Sequence, residues 1–289
     1  MDSTGKKYFI AGSAGQLGGD FARILAARGL AVVAPAEDEF DITDSARVSA
    51  VLAAEKPAVL INCAAYNQVD EAESQADAAF LVNATAVASL AETCRDLGIF
   101  LVHFSSAYVF DGTKDNFYTE DDPPQPLNTY GASKLQGEQA VAQHLEQMSL
   151  VFRLSWVFGP GKQNFLTKVS RWVADNAVIR VSADETSAPT FTEDVVDLTM
   201  ESLAKGLTGL YHLTNSGYCS RYEWAKYFIN KMELDTLVIP VAAATFTTKA
   251  KRPAFSCMSN RKLSDALGRP IPSWEDAVER FVLAFETAG

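Results

Sequence analysis

Three side chains near the middle of the chain could together do acid–base chemistry: the hydroxyl of Ser106, the phenol of Tyr130 and the ammonium of Lys134. The apolar residues 99–102 predict a buried strand that leads to Ser106. Tyr130 and Lys134 stand four residues apart, so a helix places them on one face. A phenol with a pKa near ~10 is a poor acid or base at neutral pH, but a nearby ammonium favours the phenolate. This set predicts proton transfer to or from a carbonyl or an alcohol.

The Tyr-x-x-x-Lys spacing is weak evidence by itself, because it occurs again in this chain. Both other matches lie in residues 222–231, an amphipathic segment whose aromatic residues are best explained as core and whose lysines form its solvated face. Tyr130 differs in its context. It follows the proline-rich residues 121–126, starts a helix and lies downstream of the strand that ends at Ser106.

A glycine-rich turn occupies the first junction between a strand and a helix. The predicted strand over residues 7–11 leads directly into residues 12–18, which carry a GxxGxxG pattern, and a helix follows. In this setting a helix N-terminus and a close backbone approach form a pyrophosphate site. Glycine turns also join strands to helices for steric reasons alone. The position at the first junction favours dinucleotide binding.

The adenosine end of such a site is less defined. Residues 35–39, at the end of the second strand, contain no Arg or Lys to receive a 2′-phosphate and no acidic residue clearly placed to bind a ribose. The choice between NAD and NADP therefore stays open. Asp44 or Thr43 is a suitable N-cap for the next helix. Asp41 and Ile42 could instead lie beside an adenine ring.

Small residues follow the third strand, which is predicted over residues 59–63. Ala64 and Ala65 would allow a nicotinamide ribose to lie flat against the backbone, and a tight turn is the alternative explanation. Asn83 stands in an apolar stretch of the long helix predicted over residues 76–97. A buried amide needs a partner, so Asn83 is either a structural bridge or part of the site.

The order of these segments predicts an α/β fold. Up to residue 158 the pattern is βαβαβαβαβ, which indicates a Rossmann-like, doubly wound parallel sheet. Beyond Gly159 the regularity fades into a mixed α/β tail that suits a smaller substrate lobe. We predict a dinucleotide-binding domain over residues 1–158 and a mainly substrate-binding lobe over residues 159–289, interleaved with the first domain.

Composition restricts the partners. The chain of 289 residues is 48% hydrophobic and can bury a full core. A net charge of -11 and a pI near 4.8 argue against a general binder of nucleic acid or anionic membranes, so small molecules are the expected partners. The cysteines are scattered and there are only 3 histidines, which argues against a disulfide framework or a metal site.

No segment predicts export or membrane insertion. The apolar run within residues 6–11 is too short for a signal peptide, and no later stretch approaches the ~20 apolar residues of a membrane span. The sequence therefore predicts a cytoplasmic protein.

A basic cluster stands out against the acidic background. A diphosphate would be held by such cations, with arginine giving bidentate contacts, while a solvated basic loop is the alternative. Arg252 is the favoured member of the cluster, which comprises Lys249, Lys251, Arg252, Arg261 and Lys262.

Taken together, these segments resemble the extended short-chain dehydrogenase/reductase family, and within it the dTDP-4-dehydrorhamnose reductase group. Several of the matching motifs are typical of the group rather than of the fold. The resemblance runs nearly the whole length and rests on residues 12–18, 41–44, 62–73, 105–112, 130–134, 153–156, 188–190 and 251–253.

The resemblance implies a role for each candidate residue. Ser106, Tyr130 and Lys134 would form the catalytic trio. NADPH or NADH would be bound by Gly12, Ala14, Gly15, Gln16, Leu17, Gly18, Asp41, Ile42, Ala64, Ala65, Tyr66, Asn83, Tyr130 and Lys134. The sugar nucleotide would be faced by Val69, Ala107, Tyr108, Trp156 and Arg252.

The implied reaction is hydride delivery to C4 of a 4-keto-6-deoxy sugar carried on dTDP, giving dTDP-L-rhamnose or an isomer. Tyr130 would donate the proton to the developing alkoxide and Ser106 would hydrogen-bond that oxygen. Lys134 would keep the Tyr130 pKa low and bind the nicotinamide ribose.

The chain departs from the group at one position beside the catalytic hydroxyl. The group usually has Ser-Thr-Asp-Tyr where this chain has Ser-Ser-Ala-Tyr, so Ala107 replaces a carboxylate. Sugar-nucleotide dehydratases of the extended family carry an Asp-Glu pair there, which Ala107 and Tyr108 cannot replace. Dehydration is therefore the least favoured reaction.

Two alternatives to the rhamnose reaction follow from this departure. One is reduction of another nucleotide-linked 4-keto sugar. The other is a regulatory subunit that binds cofactor without catalysis, like the β subunit associated with methionine adenosyltransferase, which resembles the same group. The retained Tyr130 and Lys134 favour an enzyme. The resemblance is compatible with a monomer or a homodimer.

Overall fold

The computed structural model describes residues 5–160 and 164–287. Residues 1–4, which belong to the segment considered for export, lie outside the described part. The strands are β1 Lys7–Ala11, β2 Ala31–Val33, β3 Val59–Asn62, β4 Phe100–Ser106, β5 Ser149–Leu154, β6 Val157–Phe158, β7 Val178–Ser182, β8 Thr186–Ser187, β9 Thr190–Phe191, β10 Gly209–His212, β11 Cys219–Ser220 and β12 Leu237–Val241. The helices are α1 Gln16–Ala27, α2 Ser45–Glu55, α3 Val69–Ala72, α4 Ala76–Phe80, α5 Ala86–Leu97, α6 Thr129–Leu145, α7 Phe165–Asp175, α8 Thr192–Ala204, α9 Arg221–Lys231, α10 Arg261–Leu267 and α11 Trp274–Thr287.

Six strands form the central sheet in the order β2-β1-β3-β4-β5-β10, and every neighbouring pair is parallel. The register places Ile10 of β1 opposite Ile61 of β3, and Ile61 opposite Val102 of β4. These residues are fully buried, because a parallel sheet is covered on both faces. The carboxyl ends of all six strands meet at one edge, where a ligand site is expected.

Helices cover both faces of the sheet. One apolar layer contains side chains of α1, α8 and α10, including Phe21, Val195 and Leu263. The opposite layer contains side chains of α2, α5 and α6, including Leu52 and Leu90. The predicted doubly wound α/β fold is therefore confirmed.

A third apolar core lies among the elements that follow β5. It contains Phe158, Phe191, Trp224 and Phe281, which contribute from β6, β9, α9 and α11. Between these elements the chain returns to the central sheet, since β10 pairs with β5. The division of the chain at residue 158 stays a prediction.

The predicted segments differ from the structure mainly at their ends and at two interruptions. The last strand of the predicted pattern, which was expected to run to residue 158, is two strands, β5 and β6, and Trp156 between them takes a left-handed backbone conformation with φ of 40°. The long helix over residues 76–97 contains a π-helical turn, Leu81–Thr85, between α4 and α5. Asp44 caps α2 by accepting a hydrogen bond from the Arg47 N–H.

Among residues 5–160 and 164–287, no helix is both long and apolar enough to cross a membrane.

Candidate active site

The carboxyl end of β4 and the first turn of α6 bring Ser106 and Tyr130 together. β4 ends at Ser106, and a single 3₁₀ turn, Ala107–Val109, follows it. The side chain of Asn128 caps α6 by accepting a hydrogen bond from the Gly131 N–H at 2.8 Å, which fixes the turn that carries Tyr130. The Ser106 hydroxyl lies close enough to the Tyr130 phenol to lower the pKa of that phenol. The hydroxyl and the phenol predicted from sequence therefore converge.

Lys134 lies one helical turn beyond Tyr130 and is almost completely buried, with 2% of its surface exposed. Its Nζ donates a hydrogen bond to the carbonyl oxygen of Phe104 in β4 at 2.7 Å. This contact holds the ammonium near the carboxyl end of β4, in the cavity that Ser106 and Tyr130 also line. The predicted catalytic trio is thus assembled from two adjacent elements.

Burial dominates the proton affinities at this site. It raises the pKa of Tyr130 to about 12, and Ser106 opposes this effect only in part. Burial also lowers the pKa of Lys134 to about 8, while the charge of Glu138 opposes the change. The sequence-based expectation that Lys134 keeps the Tyr130 pKa low is not met in this geometry. Tyr130 is a protonated phenol at neutral pH, which is the form a proton donor needs.

A cavity of about 980 Å³ lies along the carboxyl edge of the sheet in front of these groups. It extends from the glycine turn after β1 to the residues that follow β5. Most of the predicted site residues line it: Ala14, Gly15, Gln16, Leu17, Ala64, Ala65, Val69, Ser106, Ala107, Tyr108, Tyr130, Lys134 and Trp156.

The glycine turn has the form expected of a pyrophosphate cradle. Gly12 has φ of 75°, and a Cβ there would approach the Ala64 nitrogen to 2.5 Å. A Cβ on Gly18 would lie 2.2 Å from the Gly12 carbonyl oxygen, so only glycine permits this close packing of α1 on the turn. α1 follows Gly15 without a side-chain cap, which leaves the N–H groups of its first turn available to an anion. These features fit a dinucleotide.

Ser13, within the same turn, was not singled out by the sequence analysis. Its hydroxyl donates a hydrogen bond to the carbonyl oxygen of Pro35 at 2.6 Å and so joins the turn to the end of β2. Serine is common in such turns, and no sequence signal identifies this contact.

Asp41 and Ile42 do not line the cavity. The Ile42 side chain is buried in the apolar layer beside Phe40. The Asp41 carboxylate accepts hydrogen bonds from the N–H and the hydroxyl of Thr43. Their assignment to the adenine stays a prediction.

Asn83 lies behind the cavity and holds the loop that follows β3. Its Oδ1 accepts from the Tyr66 N–H at 2.9 Å, and its Nδ2 donates to the Tyr66 carbonyl at 3.0 Å and to the Ser133 hydroxyl at 3.0 Å. A buried amide with all of these contacts is a structural bridge between α6 and the loop. Neither Asn83 nor Tyr66 lines the cavity, so a direct contact of either with cofactor stays a prediction.

A second cavity, of about 1230 Å³, adjoins the first, and Trp156 and Val157 line both. Although the whole chain is acidic, this cavity is lined by more cations than carboxylates. Its acidic residues are Asp184 and Glu185, and its cations are Lys168, Arg180, Arg221, Lys249, Lys251 and Arg252. Such local positive charge suits a multiply charged anion.

Arg221, the first residue of α9, is one of three cations of this cavity that the sequence did not predict, together with Lys168 and Arg180. Its guanidinium carbon lies 4.1 Å from the centroid of the Trp156 ring and 5.0 Å from that of Phe165. Its nearest carboxylate, Glu185, is 3.9 Å away. Burial lowers the Arg221 pKa without removing the charge at neutral pH, so the aromatic rings hold a desolvated cation at the cavity wall. No local motif marks this contact, because its partners are distant in sequence.

The predicted basic cluster divides in the structure. Lys249, Lys251 and Arg252 line the second cavity, as expected for an anion site. Arg261 lies elsewhere, 3.5 Å from Asp265 on the exposed face of α10. Lys262 donates a hydrogen bond to the Leu210 carbonyl oxygen. These two residues are near Arg252 in sequence but do not line the second cavity.

Tyr108 connects the two groups of functional residues. Its ring lies edge-on to that of Tyr130, with the centroids 5.9 Å apart. Burial raises the pKa of its phenol, and the nearby charges of Arg221 and Arg252 oppose this effect. Tyr108 therefore spans the distance between the acid–base centre and the cationic wall.

Ala107 occupies an apolar environment. It is 1% exposed and belongs to a buried cluster with Val109, Phe110, Tyr118 and Met258. A carboxylate here would lose hydration, so the surroundings match the alanine found in this chain.

Side chains suited to metal binding are not grouped together. In the described parts of the chain, no cluster of three or more His, Cys, Asp or Glu residues could hold an ion.

The arrangement of Ser106 at the end of β4, opposite a Tyr and a Lys one turn apart on α6, is shared by the extended short-chain dehydrogenase/reductases, and fold and site together place the protein in that class. The family described as "RmlD substrate binding domain" matches residues 6–287. The chain belongs to this family.

Individual relatives agree with this placement and with the dTDP-4-dehydrorhamnose reductase group. The chain is 36% identical over 289 residues to a dTDP-4-dehydrorhamnose reductase of Burkholderia thailandensis, covering 94% of this chain and 96% of the relative. It is 33% identical over 273 residues to a dTDP-4-keto-6-deoxy-D-glucose reductase of Streptomyces niveus, covering 94% and 95%. The crystal structure of a dTDP-4-dehydrorhamnose reductase from Bacillus anthracis in complex with NADP superposes with a TM-score of 0.93 at 32% identity, covering 96% and 99%.

Proposed function

We propose that this protein reduces the C4 keto group of a dTDP-4-keto-6-deoxy sugar with NADPH or NADH, and that its main substrate is dTDP-4-dehydrorhamnose. The observation that carries the proposal is the Tyr130 phenol in a cavity suited to a dinucleotide, which shares Trp156 and Val157 with a cationic cavity suited to a diphosphate. Relatives across nearly the whole chain carry names that state this activity.

The chain's own residues perform the proton chemistry. Tyr130, held protonated by burial, donates its proton to the oxygen that gains negative charge at C4. Ser106 donates a hydrogen bond to the same oxygen and stabilises the charge as it develops. The N–H groups at the start of α1 and the Lys134 ammonium bind the coenzyme, which supplies the hydride when bound. Ala64 and Ala65 form a flat wall beside it.

The second cavity orients the sugar nucleotide. Arg221 and Arg252 bind the diphosphate, since guanidinium groups match phosphate oxygens in geometry and charge. Trp156, which lines both cavities, contacts the sugar between the diphosphate and Tyr130. A cytoplasmic location and a monomeric or homodimeric state stay predictions.

A second candidate is reduction of a different nucleotide-linked 4-keto sugar. The Streptomyces niveus relative is named for dTDP-4-keto-6-deoxy-D-glucose and is nearly as similar as the first relative. Ala107, which replaces the usual carboxylate beside the hydroxyl, lines the cavity where the sugar would lie.

The test is an absorbance assay of reduced nicotinamide with each sugar and each coenzyme. Oxidation is expected with dTDP-4-dehydrorhamnose, and it should fall by about 10³-fold in Tyr130→Phe, because the phenol is the proton donor. Faster oxidation with dTDP-4-keto-6-deoxy-D-glucose would favour the second candidate. Coenzyme binding without oxidation of either sugar would contradict both and favour a regulatory subunit.

A further inference from the structure

The segment 249–252 of the second cavity is attached to the nucleotide-binding part of the chain through Asp70, in the first turn of α3. The Asp70 Oδ1 accepts hydrogen bonds from the N–H groups of Lys249 and Ala250, each at 3.0 Å. The same carboxylate pairs with the Arg252 guanidinium at 2.6 Å and 3.2 Å. One side chain therefore holds both the backbone and the cation of this segment.

Asn128 attaches the same segment to the catalytic helix. Its Oδ1 caps α6 at the Gly131 N–H, and its Nδ2 donates to the Lys251 carbonyl oxygen at 2.8 Å. The amide uses its acceptor for the helix and its donor for the segment. A residue that only capped α6 would need no donor.

α3 is itself joined to the start of α6. Glu73, three residues after Asp70, accepts a hydrogen bond from the Thr129 N–H at 2.8 Å. On the other side, Tyr108 lies near Arg252, whose charge acts on its phenol, and contacts the Tyr130 ring edge-on. The segment 249–252 and the first turn of α6 therefore have little freedom to move apart.

We propose that Asp70 and Asn128 are positioning residues that set the distance between Arg252 and Tyr130, so that the diphosphate and the C4 carbonyl of one substrate engage together. This inference rests on the proposed function. Neither side chain takes part in proton transfer, because the hydrogen bonds of both are directed at the segment and the helix. They act on the reaction only through the distance between Arg252 and Tyr130.

The ion pair with Arg252 supports this role for Asp70. The hydrogen bond from the guanidinium lowers the pKa of Asp70, so the carboxylate is charged at neutral pH. Asp70 retains the segment in the absence of substrate, and the diphosphate then meets a preformed Arg252 rather than ordering a free loop.

Two variants separate this role from general structural damage. Asp70→Asn removes the charge but keeps a similar shape. Asn128→Asp keeps the acceptor that caps α6 and removes only the donor to Lys251, since aspartate is an equally good N-cap. Glu71→Gln is the matched control, because Glu71 lies in the same short helix and its carboxylate has no hydrogen bond or ion pair with any residue that the structure describes.

The first readout is amide hydrogen exchange at Lys249 and Ala250 without substrate. Both amides should exchange about tenfold faster in Asp70→Asn than in Glu71→Gln, because their acceptor is weakened. This measurement does not depend on catalysis. Should the wild type reduce neither sugar, the proposed function fails, while exchange still decides whether Asp70 holds the segment.

The second readout is steady-state kinetics. In both variants the KM for the nucleotide sugar should rise about tenfold, while the Kd for NADPH stays within about twofold of the control, because the coenzyme cavity is untouched. Unchanged exchange in Asp70→Asn, or a KM in either variant within about twofold of that in Glu71→Gln, would overturn the inference.

Discussion

The two cavities of this protein differ in the kinds of residue that line them. The coenzyme end of the first cavity is formed by backbone and small side chains at the ends of parallel strands, such as Gly15, Ala64 and Ala65. The second cavity is formed by large aromatic and charged side chains from segments far apart in the chain, such as Trp156, Arg221 and Arg252. The first depends on close backbone packing, whereas the second depends on side-chain identity. A single fold can therefore keep its coenzyme while its substrate changes.

The largest effect is expected where a side chain is added to the backbone-built cavity. In Gly18→Ala the new Cβ would lie 2.2 Å from the Gly12 carbonyl oxygen, so the turn must move. The Kd for the coenzyme, measured by calorimetry, should rise about 100-fold as the N–H donors of α1 are displaced. Gly19→Ala is the graded comparison: Gly19 lines the same cavity, but its Cβ would lie 3.3 Å from the Ser13 carbonyl oxygen, so only a small shift is needed and the Kd should rise much less. Equal coenzyme affinity in the two variants would show that binding does not depend on the close backbone packing at Gly18.

Removing one cation from the second cavity should act on the substrate alone. Arg221→Met keeps an apolar stem between Trp156 and Phe165 but loses the guanidinium. The KM for the nucleotide sugar should rise about 30-fold, as expected for a charged hydrogen bond to phosphate, with the NADPH Kd unchanged. Arg261→Met, on the exposed face of α10, should leave both unchanged. A weaker NADPH affinity in Arg221→Met would show that the two cavities are not independent.

Lys134 should give the site a measurable pH dependence. Because burial lowers its pKa to about 8, the ammonium proposed to bind the coenzyme loses its proton above that pH. The kcat/KM for NADPH should therefore fall about tenfold for each pH unit above about 8. A kcat/KM that stays constant up to pH 10 would contradict a Lys134 pKa that burial lowers to about 8.

Stability should change in the opposite direction with pH. The unfolded chain binds a proton at Lys134 up to its ordinary pKa of 10.5, whereas the folded chain releases it at about 8. The free energy of unfolding therefore rises between these two values by about 3 kcal/mol, and the full cost of the buried charge is present below pH 8. Urea unfolding of Lys134→Met should lack this rise, while the wild type shows it.

The smallest effect is expected at the position where the chain departs from its group. Ala107→Asp places a carboxyl group in the apolar cluster with Val109 and Met258 and should lower the free energy of unfolding by about 2 kcal/mol. Ala107→Ser, which introduces a smaller polar group, should lower the free energy of unfolding by less. If the aspartate variant is as stable as the wild type and prefers a different sugar, Ala107 selects the substrate rather than serving the core.

The parallel sheet, the glycine turn and the helix that carries Tyr130 could be predicted from the sequence. The strands of a parallel sheet are continuous apolar runs, and the glycine turn and the Tyr130 helix carry local signals, so their positions follow from short stretches of chain. The side chains that line the second cavity were predicted less completely. Arg221 was missed because its aromatic partners lie far away in sequence, and Arg261 was grouped with Arg252 although tertiary structure separates them.

Asn83 and Tyr130 show why local patterns leave roles open. The sequence allowed Asn83 to be a bridge or a ligand, and only the contacts with Tyr66 and Ser133 favour the bridge. The pKa of Tyr130 depends on burial, which raises it to about 12 against the opposing effect of Ser106. Such balances between desolvation and neighbouring groups are set by the whole fold.

The most direct test of the central claim is a crystal structure of the protein with NADP and dTDP-rhamnose. The account predicts the C4 hydroxyl of the sugar within hydrogen-bonding distance of Tyr130 and Ser106, with the diphosphate against Arg221 and Arg252. The coenzyme should lie along the glycine turn with its nicotinamide beside Ala64. A sugar nucleotide bound outside the second cavity, or a C4 hydroxyl directed away from Tyr130, would contradict it.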